Sequence, residues 1–341
     1  MSVITFGEIL LRLTAPGYTK LFQRDSLDWT FCGAEANVAV SLANFGIDTD
    51  FVTKLPDNDI GRAAIATLRT FGVSTLNCVM GAGRMGLYYL EKGVSQRPSK
   101  IIYDRTASSL AQSNTDEYDW GAIFKDANWF HWTGITPALS QNLPQICEAA
   151  CKAAKKNGAY ISCDLNYRKQ LWNPDTARET MQKLLSYVDV CIANEEDAEK
   201  MLGISAPSSD VSKGHLDSDG YSYVAKEIAK QYGCKYVAIT MRKSFSASRN
   251  GWSGLLFHAE SNACVYSKEY DIEIVDRVGG GDSFAAGIIY GLLQRMNIQD
   301  VVDFAAAASC LKQTIEGDFN RTTISDVEQL LKTGGSGRIQ R

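Results

Sequence analysis

The sequence predicts an α/β fold in which a mostly parallel central sheet is covered by helices on both faces, giving three layers. Between residues 141 and 241, apolar strand segments alternate with helical segments of 10–15 residues, a rhythm typical of βαβ crossovers. Two stretches break that rhythm, about 10–32 and 84–106, and they predict a small separate β-sheet that we interpret as a lid. We therefore expect one domain over 1–341 with this sheet projecting from it.

The elements of the first half are predicted from apolar runs and from the glycines that follow helices. They are a strand at Val3–Leu13, a helix at Asn37–Phe45, a strand at Asp50–Leu55, a helix at Ile60–Phe71, and a hairpin of Gly86–Glu91 with Lys100–Arg105. Gly46 and Gly72 directly follow the two helices, and glycine at that position is typical of a helix C-terminus.

The elements of the second half follow the alternating rhythm. They are helix Gln141–Lys156, strand Ala159–Leu165, helix Thr176–Ser186, strand Val188–Ala193, a short helix Glu196–Leu202, helix Tyr223–Tyr232, strand Tyr236–Met241, strand Tyr270–Val275 and helix Asp282–Met296. The segment 206–220 is rich in Ser, Asp and Gly, and the tail 333–341 contains Gly-Gly-Ser-Gly, so both are expected to be flexible.

Composition excludes several classes of protein. A net charge of −4 argues against nucleic-acid binding, which needs basic surface to displace counterions. The sequence contains no apolar run of 18 residues and does not begin like a signal peptide, so we expect a cytoplasmic protein without a membrane partner. The nine cysteines are scattered, and Cys147 with Cys151 lacks the paired spacing of zinc sites, which favours buried free thiols.

The most informative local feature is Gly279-Gly280-Gly281-Asp282, which lies between a predicted strand and a predicted helix. Consecutive glycines allow close approach of another group, and the first helical amides are free to bind an anion such as a phosphoryl group. A carboxylate there repels phosphate unless it orients the hydroxyl that attacks it. The alternative is that Asp282 only caps the helix and the glycines only form a turn.

Several segments together resemble one known family. Gly33-Ala-Glu-Ala-Asn37, Asp59-x-Gly61, Asn194-Glu-Glu-Asp197 and Gly279–Asp282 are similar to motifs of the ribokinase-like (PfkB) sugar kinases. The resemblance covers nearly the whole chain and implies the ribokinase-like three-layer fold, with ATP and Mg²⁺ as cofactors. In that family the Asn-x-x-Glu segment organises waters around magnesium, so Asn194 and Asp197 are implied to hold the metal through water. Asp197 departs from the family's usual Glu.

The resemblance narrows to the 2-keto-3-deoxygluconate kinases. Asp164-Leu-Asn166-Tyr-Arg168 is similar to the D-x-N-x-R segment of that group, and Ile315–Asn320 resembles its I-x-G-D-F run. Thr240-Met-Arg242 departs from the Thr-x-Gly of many relatives, and we interpret Arg242 as lying near the ATP phosphates or base. The start of the chain, Gly7-Glu8 followed by Arg12, also fits that group.

The residues and the resemblance together predict a site. The implied transfer centre is Asp282, which orients and deprotonates the hydroxyl, with Gly279, Gly280 and Gly281, and the amides of Gly280, Gly281 and Asp282 are expected to stabilise the phosphoryl charge. The implied sugar-binding residues are Gly33, Asn37, Tyr89, Tyr103, Arg105, Arg168, Asp282 and Asp318. The implied nucleotide-binding residues are Asn166, Asn194, Thr240, Arg242, Gly279 and Gly281.

The arginines point to an acidic sugar, because a planar guanidinium binds a carboxylate in two places. Each candidate has a plainer interpretation. Tyr89 and Tyr103 could be ordinary cross-strand neighbours, and Arg105 a solvated strand end. Arg168 could form a structural ion pair, and Asp318 could be a turn residue.

The predicted activity is ATP-dependent phosphorylation of 2-keto-3-deoxygluconate on its C6 hydroxyl. Two alternatives stay open at this point: a kinase of the same fold for a neutral sugar such as fructose or ribose, and a non-catalytic sugar-binding regulator. A homo-oligomer formed through the lid sheet is expected as well, because exposed sheets often pair.

Overall fold

The computed structural model describes residues 1–206 and 218–335. The strands in that part of the chain are β1 (Ser2–Phe6), β2 (Leu10–Thr14), β3 (Asp28–Cys32), β4 (Asp48–Val52), β5 (Lys54–Pro56), β6 (Val79–Gly81), β7 (Gly86–Glu91), β8 (Lys100–Asp104), β9 (Trp129–Thr133), β10 (Tyr160–Asp164), β11 (Val190–Ala193), β12 (Tyr236–Ser244), β13 (Arg249–His258), β14 (Ala263–Tyr266) and β15 (Tyr270–Glu273). The α-helices are α1 (Ala34–Asn44), α2 (Asp59–Thr70), α3 (Trp120–Ile123), α4 (Ile135–Ala138), α5 (Leu143–Lys156), α6 (Pro174–Leu184), α7 (Glu195–Asp197), α8 (Ser218–Tyr232), α9 (Gly280–Leu293), α10 (Ile298–Lys312) and α11 (Ile324–Thr333). A π-helical turn, Ala198–Leu202, follows α7.

The large sheet runs in the order β14-β13-β12-β11-β10-β9-β1-β4, and β15 also pairs with β13. The six strands from β4 to β12 in that order are parallel, whereas β13, β14 and β15 are antiparallel to their partners. The predicted mostly parallel sheet is therefore confirmed, with an antiparallel edge. Parallel strands place their carboxyl ends along one side, where open α/β sheets bind ligands.

Helices cover both faces of the large sheet, as the three-layer prediction requires. One core contains residues of α5, α6 and α8, such as Ile146, Met181 and Ile228. The other core contains residues of α1, α9, α10 and α11. Within β12, Ile239 belongs to the first core and Ala238 to the second, because successive side chains of a strand point to opposite faces.

The small sheet runs in the order β3-β2-β7-β8 and is separate from the large one. Strands β2 and β7 are parallel, while β2 with β3 and β7 with β8 are antiparallel. The β7–β8 pair is the predicted hairpin. Leu10, Cys32, Tyr88 and Leu90 form the buried side of this sheet, and Tyr103 and Val278 pack against it.

Two predicted strands are wrong in extent. The run predicted as Val3–Leu13 is divided into β1 and β2, which belong to different sheets. The division occurs near Gly7, where a Cβ atom would lie 2.1 Å from the Glu35 carboxylate, so only glycine is accommodated. Likewise, the run predicted as Asp50–Leu55 is divided into β4 and β5. An apolar run does not show where a chain changes sheet, because both halves are buried.

The remaining predicted elements agree with the structure to within a few residues. Much of the segment 206–220 and most of the tail 333–341 lie outside the described residues. All nine cysteines are free, and Cys147 and Cys151 are fully buried in the core, which confirms the interpretation as buried thiols for that pair. None of the described helices is both long enough and apolar enough to cross a membrane.

Candidate active site

A cavity of about 390 Å³ lies at the carboxyl ends of β10, β11 and β12, between the start of α9 and the buried side of the small sheet. The predicted site residues that line it are Gly33, Asn37, Tyr103, Arg105, Asn166, Arg168, Asn194, Asp197, Thr240, Arg242, Gly279, Gly280, Gly281, Asp282 and Asp318. The structure therefore brings together residues that are up to 285 positions apart in the chain, from Gly33 to Asp318.

Tyr89 is the predicted site residue that does not line this cavity. In the register of β7 with β8, Tyr88 lies opposite Tyr103, whereas Tyr89 lies opposite Ile102. Because side chains alternate along a strand, Tyr88 and Tyr103 share the cavity face, and Tyr89 is on the other face. The prediction for Tyr89 is wrong by one residue, and Tyr88 takes its place. Three consecutive residues, Leu87 to Tyr89, are large, so hydropathy alone did not fix the phase of this strand.

The glycine-rich loop, residues 276–282, has the geometry of an anion hole. Gly279 is in the left-handed region at φ 82°, and a Cβ atom there would lie 2.1 Å from the Asp318 carbonyl oxygen. Helix α9 begins at Gly280, and its N-cap residue, Gly279, supplies no side-chain hydrogen bond. The Gly280 amide donates to the Arg277 carbonyl at 3.3 Å. The amides of Gly281 and Asp282 therefore remain without backbone partners in the described residues, which corrects the prediction that the Gly280 amide is also free.

Asp282 does not cap the helix, so the plainer interpretation of this residue is wrong. Its carboxylate accepts a hydrogen bond of 2.6 Å from the Asn37 side-chain amide, which is 3% exposed on α1. Burial in the cavity wall raises the pKa of Asp282 to about 6, and the neighbouring Asp318 adds to that rise. The Asn37 hydrogen bond and the charges of Arg168 and Lys312 act in the opposite direction. A carboxylate with a pKa near 6 is suited to accept a proton at neutral pH.

The chain approaches itself closely at Gly33, which lines the cavity. A Cβ atom at Gly33 would lie 2.1 Å from the Glu8 carbonyl oxygen, so a larger residue would push the small sheet away from α1. Gly33 immediately precedes α1. Its carbonyl oxygen accepts a hydrogen bond of 2.7 Å from the backbone N–H of Asn37. This contact places Asn37 where it meets Asp282.

Arg105 is not a solvated strand end. Its Nε and Nη2 atoms both donate to the Glu8 carboxylate, and its side chain is 9% exposed. The guanidinium also lies over the Tyr103 ring, 5.4 Å from the centroid. Its third nitrogen, Nη1, has no partner in the described part of the chain. Arg105 is thus held by Glu8 with one donor available.

Arg168 has a different environment. Its Nη1 donates to the Tyr167 carbonyl at 2.9 Å, and no carboxylate of the described residues lies within ion-pair distance. Its charge nevertheless lowers the pKa of Asp164, Asp197 and Asp282 relative to what burial alone would give. The interpretation of Arg168 as a structural ion pair is therefore not supported, and the guanidinium remains available to an anionic ligand.

Asp318 belongs to a buried network rather than to an exposed turn. It accepts hydrogen bonds from the Tyr88 hydroxyl at 2.8 and 3.0 Å and from the guanidinium of Arg12. Arg12, on β2, is 1% exposed and also forms an ion pair with Asp276, the first residue of the glycine-rich loop. Arg12 thereby links the small sheet to the loop. Its position as a charged residue inside an apolar strand was the sequence feature that could have identified it.

Two further carboxylates, those of Asp164 and Asp197, line the cavity. Asn194 caps α7 by accepting from the Asp197 amide at 2.9 Å, and Asp197 accepts from the Tyr167 amide at 2.9 Å. Burial raises the pKa of Asp197 to about 6 and the pKa of Asp164 well above its usual range. The Asp164 carboxylate accepts no hydrogen bond from the described residues. Adjacent oxygen donors that are not fully satisfied suit a hydrated Mg²⁺ ion, which keeps most of its waters.

Two arginines that also line the cavity lie near each other. Arg242 lies near the end of β12, and Arg277 lies in the glycine-rich loop, where it donates to the Ala247 carbonyl at 2.7 Å. Burial lowers the pKa of Arg277, and the charge of Arg242 lowers it further. The buried Nε of Arg277 has no partner in the described residues. Two like charges beside an anion hole indicate a site for a polyanion.

Sequence reasoning also missed Glu35, which lies in the cavity wall at 1% exposure. Its carboxylate accepts from the Thr133 amide and hydroxyl at 3.0 and 2.8 Å and from the Thr136 hydroxyl at 2.6 Å. Burial raises its pKa to about 7. These bonds attach α1 to the end of β9. No local pattern distinguished Glu35 from an ordinary residue in the first turn of a helix.

Comparison with known proteins identifies the family. A model of the pfkB family of carbohydrate kinases matches residues 2–321. The structure of a 2-dehydro-3-deoxygluconokinase from Thermotoga maritima is 48% identical, with a TM-score of 0.94, and the match covers 97% of this chain and 99% of that one. A 2-dehydro-3-deoxygalactonokinase of Haloferax volcanii is 32% identical over 98% of both chains. A PfkB family carbohydrate kinase from Listeria grayi is 34% identical, with a TM-score of 0.89 over 97% of this chain and all of that one.

These matches extend over almost the entire chain and include the glycine-rich loop, the small sheet and the large sheet in one alignment. They agree with the fold, which has the same two sheets, and with the cavity between them. The chain belongs to the pfkB family of carbohydrate kinases.

Proposed function

We propose that this protein transfers the γ-phosphoryl group of ATP to the C6 hydroxyl of 2-dehydro-3-deoxygluconate, the sugar acid also named 2-keto-3-deoxygluconate. The observation that carries the proposal is Arg168, a cation without a carboxylate partner in the described residues, in the same cavity as the Asp282 carboxylate. A neutral sugar offers nothing to neutralise that charge, whereas a sugar carboxylate does. The Thermotoga and Haloferax relatives act, by their names, on acids of this class.

Asp282 orients the hydroxyl and accepts its proton as the new O–P bond forms and the bond from the γ-phosphorus to the leaving oxygen breaks. Asn37 fixes the carboxylate through the 2.6 Å hydrogen bond. The free amides of Gly281 and Asp282, at the positive end of α9, stabilise the charge on the transferring group. Preorganised donors of this kind need not reorient during the reaction, so they lower its barrier.

The nucleotide occupies the end of the cavity that holds Thr240, Arg242 and Arg277, and the arginines bind its phosphates. Asp164, Asp197 and Asn194 would hold Mg²⁺ through its waters, and the ion would neutralise phosphate charge. Asn166, with φ 44°, turns the chain between β10 and Arg168 and lines the same cavity.

The sugar end lies under the small sheet, which we propose acts as a lid that excludes water from the reaction. Arg105 would add its Nη1 donor to the sugar acid while Glu8 holds its other two donors. The edge strands β3 and β8 expose Trp29 and Ile102, and we propose that they pair with a second copy of the chain. We also propose that the reaction takes place in the cytoplasm, where free thiols stay reduced.

The test is an acceptor panel. Purified protein with ATP and Mg²⁺ is offered 2-dehydro-3-deoxygluconate, its C4 epimer 2-dehydro-3-deoxygalactonate, gluconate and fructose, and ADP release is followed together with the phosphorylated product. We expect turnover of one or both keto acids, with kcat/KM at least about 100-fold above that for fructose, because a neutral sugar leaves Arg168 without a partner. Turnover of fructose in preference to the keto acids would contradict the proposal, and binding of the acids without ADP release would favour a regulator.

A further inference from the structure

The glycine-rich loop has little stiffness of its own, and the C-terminal end of α10 holds it in place. Three consecutive glycines carry a large conformational entropy that something must offset. The Ser309 hydroxyl donates to the Gly280 carbonyl at 2.7 Å. The Gln313 carbonyl accepts from the amides of Val275 and Asp276 at 2.9 and 3.2 Å. These contacts hold the loop from one side.

Lys312, the last residue of α10, provides the most unusual of these contacts. Its side chain is 0% exposed, which is rare for lysine without a paired carboxylate in direct contact. The ammonium donates to the backbone carbonyls of Asp276 at 3.2 Å and Ile315 at 3.5 Å. One carbonyl belongs to the glycine-rich loop, and the other begins the turn that carries Gly317 and Asp318. The ammonium therefore bridges the two segments that meet at the anion hole.

The stem of Lys312 contributes to the same junction. A Cβ atom at Gly279 would lie 3.2 Å from the Lys312 Cε and 2.1 Å from the Asp318 carbonyl oxygen. Gly279 is thus enclosed between the lysine stem and the turn. The turn is also bound to the loop by the Gly317 amide, which donates to the Asp276 carboxylate at 3.2 Å.

The charges around Lys312 explain why a cation is buried here. Asp276, Asp318 and Asp282 face it from the loop, the turn and α9, and Arg12 faces it from β2. Burial lowers the pKa of Lys312, while the three carboxylates raise it and Arg12 lowers it. Without Lys312, Asp276 and Asp318 would keep Arg12 as their nearby cation, and Asp282 would keep Arg168. Two backbone carbonyls pointing at one dry position would also lose their donor, which is costly in the protein interior.

We propose that Lys312 is a positioning residue for phosphoryl transfer, a built-in cation that holds the glycine-rich loop against the 315–318 turn and adds a positive charge near Asp282. The inference rests on the proposed kinase function and deepens it. Lys312 does not line the cavity, so it acts through the loop and through the charge of Asp282 rather than by touching a ligand.

The experiment compares Lys312→Met, which removes the charge and the hydrogen bonds, with Lys312→Gln, which keeps a donor but removes the charge. Lys332→Met is the matched control, since Lys332 is an exposed lysine on α11 with only an i,i+4 partner, Glu328. Steady-state kinetics between pH 5.5 and 9 are measured for each, with and without added ammonium or methylamine. Thermal unfolding is recorded in parallel.

We expect both Lys312 variants to lose about 100-fold in kcat, because displacement of a catalytic loop by a fraction of an ångström has effects of that order. The KM for the sugar should change less than about threefold. The acidic limb of the pH profile should move to higher pH, because Asp282 loses a nearby positive charge. Ammonium, which is about the size of the missing Nζ group, should restore kcat of Lys312→Met at least tenfold and leave the wild type and Lys332→Met unchanged. Methylamine should restore it less, because the methionine side chain fills the space that the methyl group would need.

A purely structural lysine would lower the unfolding temperature without moving the pH profile or responding to amines, and that result would overturn the proposal. So would Lys312→Gln with wild-type kcat, because the charge would then be unnecessary. If Lys312→Met does not fold, Lys312→Gln decides by its kcat and its pH profile. The wild type is assayed first on the acceptor panel: no turnover there contradicts the proposed function, whereas turnover with an unaffected Lys312→Gln contradicts only this inference.

Discussion

The arginines at the two ends of the cavity differ in burial and in ion pairing. Under the small sheet, Arg12 and Arg105 are nearly buried and already paired with carboxylates. At the other end, Arg242 is exposed and Arg277 is half-buried, and neither has a carboxylate of the described residues within ion-pair distance. The charges of Arg12 and Arg105, at the end proposed for the sugar, are therefore balanced before any ligand binds. The charges of Arg242 and Arg277, at the end proposed for the nucleotide, are not.

The difference follows from what each end is proposed to bind. A guanidinium held by a carboxylate keeps a fixed geometry and presents few free donors, which favours discrimination between similar small molecules. Unpaired guanidiniums create a positive potential that attracts a flexible polyphosphate without strict geometry. Arg168 is the exception at the sugar end, because it has no carboxylate partner among the described residues. It is therefore the residue most directly associated with the acid group.

The largest expected effect on kcat comes from a substitution of Asp282, the proposed proton acceptor. Asp282→Asn removes the proton acceptor and should lower kcat by at least about 1,000-fold, since general-base contributions and hydroxyl positioning are lost together. The KM values for ATP and for the sugar should change far less. The measurement is steady-state kinetics with coupled ADP detection, and a variant with near wild-type kcat would contradict the role of Asp282.

Asp282→Asn should stabilise the ligand-free protein, although it lowers kcat. The pKa of Asp282 is raised to about 6 in the folded protein, so the folded state binds its proton more tightly than the unfolded chain does. Ionised Asp282 therefore destabilises the ligand-free protein above about pH 6, and this penalty disappears as the pH falls from 6 toward 4. Asp282→Asn should unfold at a higher temperature than the wild type at pH 8, and the difference should shrink at pH 5. In the active wild type, kcat should fall as the pH drops through about 6.

The second expected effect isolates the acid group of the sugar. Arg168→Gln should raise the KM for 2-dehydro-3-deoxygluconate by about 10- to 100-fold, because a charge-assisted bidentate contact is replaced by a neutral one. The KM for ATP should remain within about threefold. Arg62→Gln is the matched control, since Arg62 pairs only with exposed carboxylates on the surface. An equal loss for a neutral acceptor would show that Arg168 supports the fold rather than the carboxylate.

Most of the fold could be predicted from the sequence, because the patterns that identify its strands and helices involve residues close together in the chain. Alternating strands and helices, and glycines such as Gly46 and Gly72, identified the central layers without tertiary information. The break between β1 and β2 was missed because Gly7 is enforced by a distant partner, Glu35. Strands β13 and β14 were not predicted, because an antiparallel edge lacks the strand–helix alternation that identified the other strands. Strand β9 was also not predicted, although it lies inside the parallel part of the sheet.

The site shows the same division between local and distant causes. The cavity residues that belong to motifs, such as Asn37 and Asp282, were identified correctly as neighbours. The side of β7 that faces the cavity was predicted wrongly at Tyr89. Three large residues in succession show no alternation that would indicate which side chains share a face. The buried partners Arg12 and Lys312 were not predicted to have a role, since each has its effect through residues hundreds or tens of positions away that only the folded chain brings close.

The smallest expected effect tests the open end of the cavity. Arg277→Gln should raise the KM for ATP by about tenfold and leave the KM for the sugar within about twofold, because one of two cations facing the phosphates is lost. The effect should diminish with added salt, since unpaired and partly exposed charges are screened. Arg249→Gln, which breaks an exposed ion pair between Arg249 on β13 and Asp271 on β15, provides the control. A larger change in the sugar KM than in the ATP KM would reverse the assignment of the two ends, because the unpaired arginines would then belong to the acid and not to the nucleotide.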